Sequence, residues 1–166
     1  MSFLKKKTPK AGDLLRVRRK AGYYHFGIAV SEDRVVHFTA PQGDLSDNKK
    51  DMRIIETSLD RFIKGDVLEI EEPYSAVFTR EEVVKRAKNY ANSHYFRGKP
   101  YNFVSNNCEH FARYCYDGEE QSLQVSAVRS AVIATGVAVA AGVAGAVIAS
   151  NKKKKNKTKT KINVSH

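Results

Sequence analysis

Twenty consecutive residues, 131–150, pass without a charged side chain or a proline. That length matches what an α-helix needs to cross a hydrocarbon core, so the folded domain has to be built from the residues before it. The run is rich in alanine and glycine and only moderately apolar, and two readings fit it: a spanning or deeply inserted anchor, or an alanine-rich soluble helix. Ala138/Gly142 and Ala141/Gly145 have the small-xxx-small spacing that lets two helix backbones approach closely, which allows a homodimer through the anchor.

Charge follows the same division. The formal net charge is +11, but seven of the lysines lie between Lys152 and Lys161, and taking those seven away leaves +4 for the rest. A folded surface with so small an excess gives no footing for nucleic acid. Lys5, Lys6, Lys7 and Lys10 gather at the other end, and two basic ends around an apolar segment fit anionic lipid headgroups. The sequence therefore divides into a basic flexible arm (1–10), a catalytic-sized domain (11–125), a hydrophobic anchor (126–150) and a lysine-rich tail (151–166).

Both cysteines fall in one short run, Asn107-Cys108-Glu109-His110-Phe111-Ala112-Arg113-Tyr114-Cys115. In a helix their α-carbons stand roughly 10 Å apart, beyond the reach of a disulfide, which predicts two free thiols. Residues 1–10 contain no apolar core of a secretory signal. Together these predict a reducing, cytosolic setting for the domain, tethered to a membrane.

Alternation and turn residues predict strands at Gly12–Arg18, Tyr24–Val30, Arg34–Thr39, Met52–Thr57 and Val67–Glu71, with a helical turn at Leu59–Ile63. Ser31-Glu32-Asp33 reads as the three-residue loop of a hairpin. Thr79-Arg80-Glu81-Glu82 has capping-box form and leads into Val83, Val84, Ala87, Tyr90 and Ala91 at helical spacing. Gly98, Lys99 and Pro100 break the chain. A second helix starts at Cys108 with Asn107 as its cap, stops near Gly118, and buries Cys108, Phe111, Ala112 and Cys115 on one face.

The hairpin register puts Gly27 opposite His37 and His25 diagonally beside it, with the imidazole-bearing β-carbons about 7 Å apart on one face. Phe26, Ile28, Val30, Val36 and Phe38 line the other face. A helix-start cysteine favours its thiolate, and two nearby imidazoles supply a base and an orienting group. Purely structural histidines and inert packed thiols are the plain alternative. A zinc site from Cys108, His25, His37 and His110 fits less well, because no two of these ligands have the usual close spacing and 108 and 110 leave a helix on different sides; no metal or other cofactor is predicted.

Gly12-Asp13-Leu14, Tyr24-His25-Phe26-Gly27-Ile28-Ala29-Val30, Val35-Val36-His37-Phe38, Asn107-Cys108-Glu109-His110-Phe111 and the terminal apolar run followed by lysines resemble the phospholipase A and acyltransferase family. That family is a branch of the lecithin:retinol acyltransferase group, related to NlpC-type cysteine peptidases. The resemblance spans about Lys10 to Lys155, although Phe26 stands where many relatives carry tryptophan and lysines replace their proline-rich start. It implies an α+β, circularly permuted papain-like domain, an antiparallel sheet packed on helices, with a C-terminal hydrophobic helix. It further implies Cys108 as nucleophile, His25 as general base and acid, and His37 as third polar member. The implied chemistry is calcium-independent attack on an sn-1 or sn-2 ester of a glycerophospholipid, through a thioester resolved by water or by an amine such as that of phosphatidylethanolamine. Asn107 and the Cys108 amide are the candidates for receiving the oxyanion. Two rival readings remain open: a papain-like cysteine peptidase, and a membrane-inserting scaffold without catalysis.

Overall fold

The computed structural model describes residues 2–5, 8–72 and 74–118. The expected anchor at 126–150, the lysine-rich tail and the homodimer contact they would support lie outside the described residues. Among the described residues no helix is long and apolar enough to cross a membrane.

In chain order the elements are β1 (Ser2–Lys5), β2 (Leu14–Arg18), β3 (Tyr24–Ala29), β4 (Arg34–Thr39), β5 (Arg53–Ser58), α1 (Leu59–Ile63), β6 (Leu68–Glu72), α2 (Arg80–Asn89), β7 (Tyr95–Phe96), β8 (Lys99–Pro100) and α3 (Cys108–Asp117). Six of the strands form one sheet in the order β1-β6-β2-β3-β4-β5, and every pairing is antiparallel. The antiparallel sheet with packed helices agrees with the expected α+β class.

Two apolar layers clamp the central strands. Leu14, Phe26, Ile28, Val36 and Phe38 pack on one side against Val83 and Ala87 of α2 and Phe111, Ala112 and Cys115 of α3. Leu15, Val17, Ala29, Val35 and Ile70 meet Phe62 of α1 on the other. Burying the Phe62 ring completely contributes on the order of 1.5–3 kcal/mol, enough for one short helix to hold its side of the sheet. Both helices that flank the cysteine face begin as the sequence predicts: Thr79 and Glu82 complete a capping box on α2, and Asn107 caps α3. Gly118 ends α3 in the left-handed conformation at φ 79°, a position that suits glycine.

Three features depart from expectation. Ser2–Lys5, placed by composition in a flexible arm, pair with the outer edge of β6 from Ser2↔Glu72 to Lys5↔Glu69. Edge pairing is satisfied by main-chain groups, so a basic composition does not reveal it. Gly98-Lys99-Pro100 is more than a break: β7 and β8 close around Arg97 and Gly98 at φ 52° and 73°, the two positive dihedrals of a two-residue hairpin turn. The histidine face, expected to be the polar side, is also interior, with His25 and His37 1% and 2% exposed beneath α1.

Candidate active site

The β3–β4 hairpin closes as its sequence predicts: Val30 N–H donates to the Arg34 carbonyl at 2.9 Å, and Ile28 pairs with Val36. Continuing that register sets Gly27 opposite His37. The imidazoles are brought closer than mere reach, with His25 Nε2 2.8 Å from His37 Nδ1 and the rings nearly perpendicular at 78°. Gly27 makes this possible. A Cβ there would lie 2.6 Å from Val35 Cγ1, 2.9 Å from Phe62 Cε2 and 3.3 Å from His37 Cβ, so any larger residue would displace the ring that supports both imidazoles.

The far end of the pair favours one direction for its hydrogen bonds. His37 Nε2 lies 3.0 Å from Thr57 Oγ1, and the Thr57 hydroxyl donates to the Ser58 carbonyl at 3.3 Å. With its one proton directed there, Thr57 accepts from His37 Nε2–H. His37 Nδ1 is then the acceptor and His25 Nε2–H the donor. His25 is left with its lone pair on Nδ1, the form a base requires.

Cys108 arrives from the opposite side of the sheet. It opens α3 and packs with the Phe26/Ile28 layer, whereas both imidazoles abut Phe62 on the α1 side. The β3–β4 ladder contains only Ile28↔Val36 and Ala29↔Val35, while β3 runs on to Tyr24 and β4 to Thr39. Main-chain direction alternates along a strand, and Val30 N–H faces β4, so Phe26 turns its amide to the same side. From there it favours the Cys108 thiolate over the thiol.

Burial outweighs this help. Desolvation is the largest influence on Cys108 and pushes its thiol up to about 12, while His25 is lowered to about 4, again chiefly by burial. The expected helix-start thiolate is therefore replaced by a neutral thiol and a neutral imidazole at rest. Cys115 is a fully buried free thiol in the core, as its spacing implied.

The cap residues have defined tasks. Asn107 Oδ1 accepts from the amides of Glu109 at 2.9 Å and His110 at 3.1 Å, and Nδ2 donates to the Phe103 carbonyl at 2.7 Å. With that side chain engaged in the cap, the backbone amide of Cys108 is the better oxyanion candidate of the two. His110 Nδ1 lies 2.8 Å from Asn107 Oδ1, a local contact away from His25 and His37. Glu109, expected near the helix start, forms a buried pair with Arg113 Nε at 3.1 Å. Among the described residues no three of His, Cys, Asp and Glu could hold a metal ion together.

Several neighbours are not evident from the sequence. Asp44, on the loop after β4, lies 3.8 Å from His25 Nε2 and pairs with Arg19 and with Lys64 Nζ at 2.8 Å. Tyr23 donates to the same carboxylate at 3.4 Å, and Thr57 ends the imidazole chain. Thr57 lies within a predicted strand, yet nothing in alternation says that its hydroxyl meets a histidine. Asp44 sits in a Gly-Asp-Leu-Ser-Asp stretch that reads simply as loop.

A family model described as lecithin retinol acyltransferase matches residues 7–121. The chain is 28% identical over 164 residues to "Phospholipase A and acyltransferase 2" of Homo sapiens, covering 91% of this chain and 98% of that protein. It is 28% identical over 158 residues to "Phospholipase A and acyltransferase 3" of Mus musculus, with 88% and 94% covered. With "Phospholipase A and acyltransferase 5" of Rattus norvegicus the identity is 27% over 154 residues, 88% of this chain and 50% of the relative.

Proposed function

Because the chain belongs to the lecithin retinol acyltransferase family, we propose that it is a phospholipase A and acyltransferase that opens a glycerophospholipid ester by covalent catalysis at Cys108. The observation that carries this reading is the directed chain Thr57–His37–His25, which leaves His25 Nδ1 free to accept a proton, together with a buried cysteine at the first position of α3, packed on the neighbouring residue Phe26.

His25 Nδ1 takes the Cys108 proton as sulfur bonds to the ester carbonyl carbon, and the carbonyl electrons move onto oxygen. The Cys108 amide, unused by the helix at its first position, stabilises that oxyanion. Collapse breaks the ester C–O bond, and His25 returns its proton to the departing lysophospholipid oxygen. The resulting thioester is attacked by water, or by an amine such as that of phosphatidylethanolamine, with His25 taking the incoming proton and sulfur leaving. None of these steps calls on calcium, because each charge change is met by a side chain or an amide. Neutral resting partners suit this scheme, since the proton moves only as the ester is attacked.

The order of histidine strands before cysteine helix supports the circularly permuted papain-like reading of the fold. The segment at 131–150 and the lysines beyond it support a membrane anchor that holds the domain, on the cytosolic side, against its two-dimensional substrate.

Intact mass spectrometry after mixing the full chain with phosphatidylcholine vesicles tests the proposal. A fatty-acyl mass on Cys108, absent in Cys108→Ala, is the expected result. Unlabelled protein that still releases fatty acid would refute the nucleophile, and peptide cleavage with inert lipid would favour the peptidase.

A further inference from the structure

We propose that Asp44 is a positioning residue for the His25 base: its buried carboxylate balances the positive charge that appears when His25 takes a proton, a task the His25–His37 pair does not perform by itself. The inference rests on the reading of His25 as base to Cys108.

The geometry separates Asp44 from an ordinary loop carboxylate. Its side chain is 5% exposed and that of His25 1%, and the two approach to 3.8 Å at Nε2. In the tautomer assigned above, Nε2–H donates to His37 Nδ1 at 2.8 Å, so Asp44 acts on the ring through charge. Nor does it depend on His25 for its place. Arg19 holds it through Nε and, at 3.3 Å, through Nη2, Lys64 Nζ reaches it at 2.8 Å, and Tyr23 donates at 3.4 Å. Arg19 is fixed in turn by the Phe62 carbonyl at 2.6 Å, the Ile63 carbonyl at 2.8 Å and Asp66 at 2.9 Å.

The charges around the ring explain why this carboxylate matters. From the β2–β3 turn comes Arg19, from the end of α1 Lys64, and both disfavour an imidazolium; Asp44 favours it. Asp66 is partnered by Arg19, and the Cys108 and Tyr101 groups near the cluster are held neutral by burial. With Asp44 removed, a newly protonated His25, its ring buried, would face the Arg19 and Lys64 cations with no carboxylate between them. His37 cannot compensate, because burial and the adjacent His25 lower its own proton affinity.

The test compares the full-length protein with Asp44→Asn and Lys64→Met by imidazole ¹⁵N titration and by the pH dependence of kcat/KM on phosphatidylcholine vesicles. Asp44→Asn should lower the His25 titration and the acid limb by about one pH unit and cut the plateau rate about tenfold or more. Lys64→Met, which removes a competing cation, should move both upward. A slower Asp44→Asn enzyme whose His25 titration stays at the parent value would overturn the proposal and leave Asp44 a structural tie. Should Asp44→Asn fail to fold, an unchanged titration in Lys64→Met overturns it as well. The imidazole titration does not require turnover, so a parent protein inert toward lipid would refute the functional reading while still deciding the role of Asp44.

Discussion

Replacing Thr57 by valine removes one oxygen and adds a methyl group of similar shape, yet it strikes the point where the imidazole chain is anchored. In the parent, His37 Nε2–H donates to Thr57 Oγ1 at 3.0 Å in a position sealed from solvent. Without that oxygen the proton has two destinations. If His37 keeps its tautomer, a buried donor is left unpaired, which costs about 1–3 kcal/mol of stability. If His37 moves the proton to Nδ1, it donates to His25 Nε2, and His25 must carry its own proton on Nδ1, where it cannot act as base. The same free energy then appears as a loss of competent enzyme, about 5- to 150-fold in rate. Urea denaturation and fatty-acid release from phosphatidylcholine vesicles, measured on the same preparations, should show one loss or the other, and Thr57→Ser should restore both. A Thr57→Val protein with unaltered denaturation midpoint and unaltered turnover would refute the hydrogen-bond direction, and with it the assignment of the free lone pair to His25 Nδ1.

The same geometry has other consequences. Gly27→Ala should destabilise the domain by about 1–3 kcal/mol in chemical denaturation, because its Cβ would press Val35 and Phe62 at 2.6 and 2.9 Å; vesicle hydrolysis should fall with it as the ring pair is displaced. Asn107→Ala removes the α3 cap and should cost about 1–2 kcal/mol by the same assay, whereas Asn107→Asp should retain most of the stability. Stability should decline on both sides of neutrality. His25 has a folded value of about 4, below the ordinary value of roughly 6.5, so its contribution is present above that ordinary value and is lost as pH falls through the folded one. Cys108 and Cys115 are each raised to about 12, so theirs is present below the ordinary thiol value of roughly 8.5 and is lost as pH rises through the folded one. Urea midpoints across pH 4–10 would check both slopes, and a flat profile would contradict the buried neutral state of these groups.

How much of this molecule is legible in its sequence depends on how local the determining contacts are. The β3–β4 register is legible because a three-residue loop fixes it, and the α3 start is legible because Asn107 can cap only a helix that begins immediately after it. Hairpin register alone therefore puts His25 and His37 on one face. Their burial is not legible, since it depends on Phe62 arriving from a helix of only five residues. The protonation of Cys108 runs against its sequence reading for a related reason: a helix start suggests a stabilised anion, but the desolvation that opposes it comes from residues far away in sequence. Asp44 and Thr57 carry no periodic or motif signal, and their roles arise from where loop and strand ends converge. The strand at Ser2–Lys5 is hidden because its pairing is made through the main chain.

The division of the site between an early hairpin and a late helix bears on how the molecule acquires its reactivity. The imidazole pair comes from residues twelve positions apart and can form as soon as that hairpin does, whereas the thiol belongs to the last described helix and must pack onto strands already laid down. Contacts so distant in sequence are the slow ones to form. On the proposed reading, a chain that is nascent, nicked or half-folded would hold an ordinary thiol and two ordinary imidazoles, and reactivity would arrive only with the completed fold.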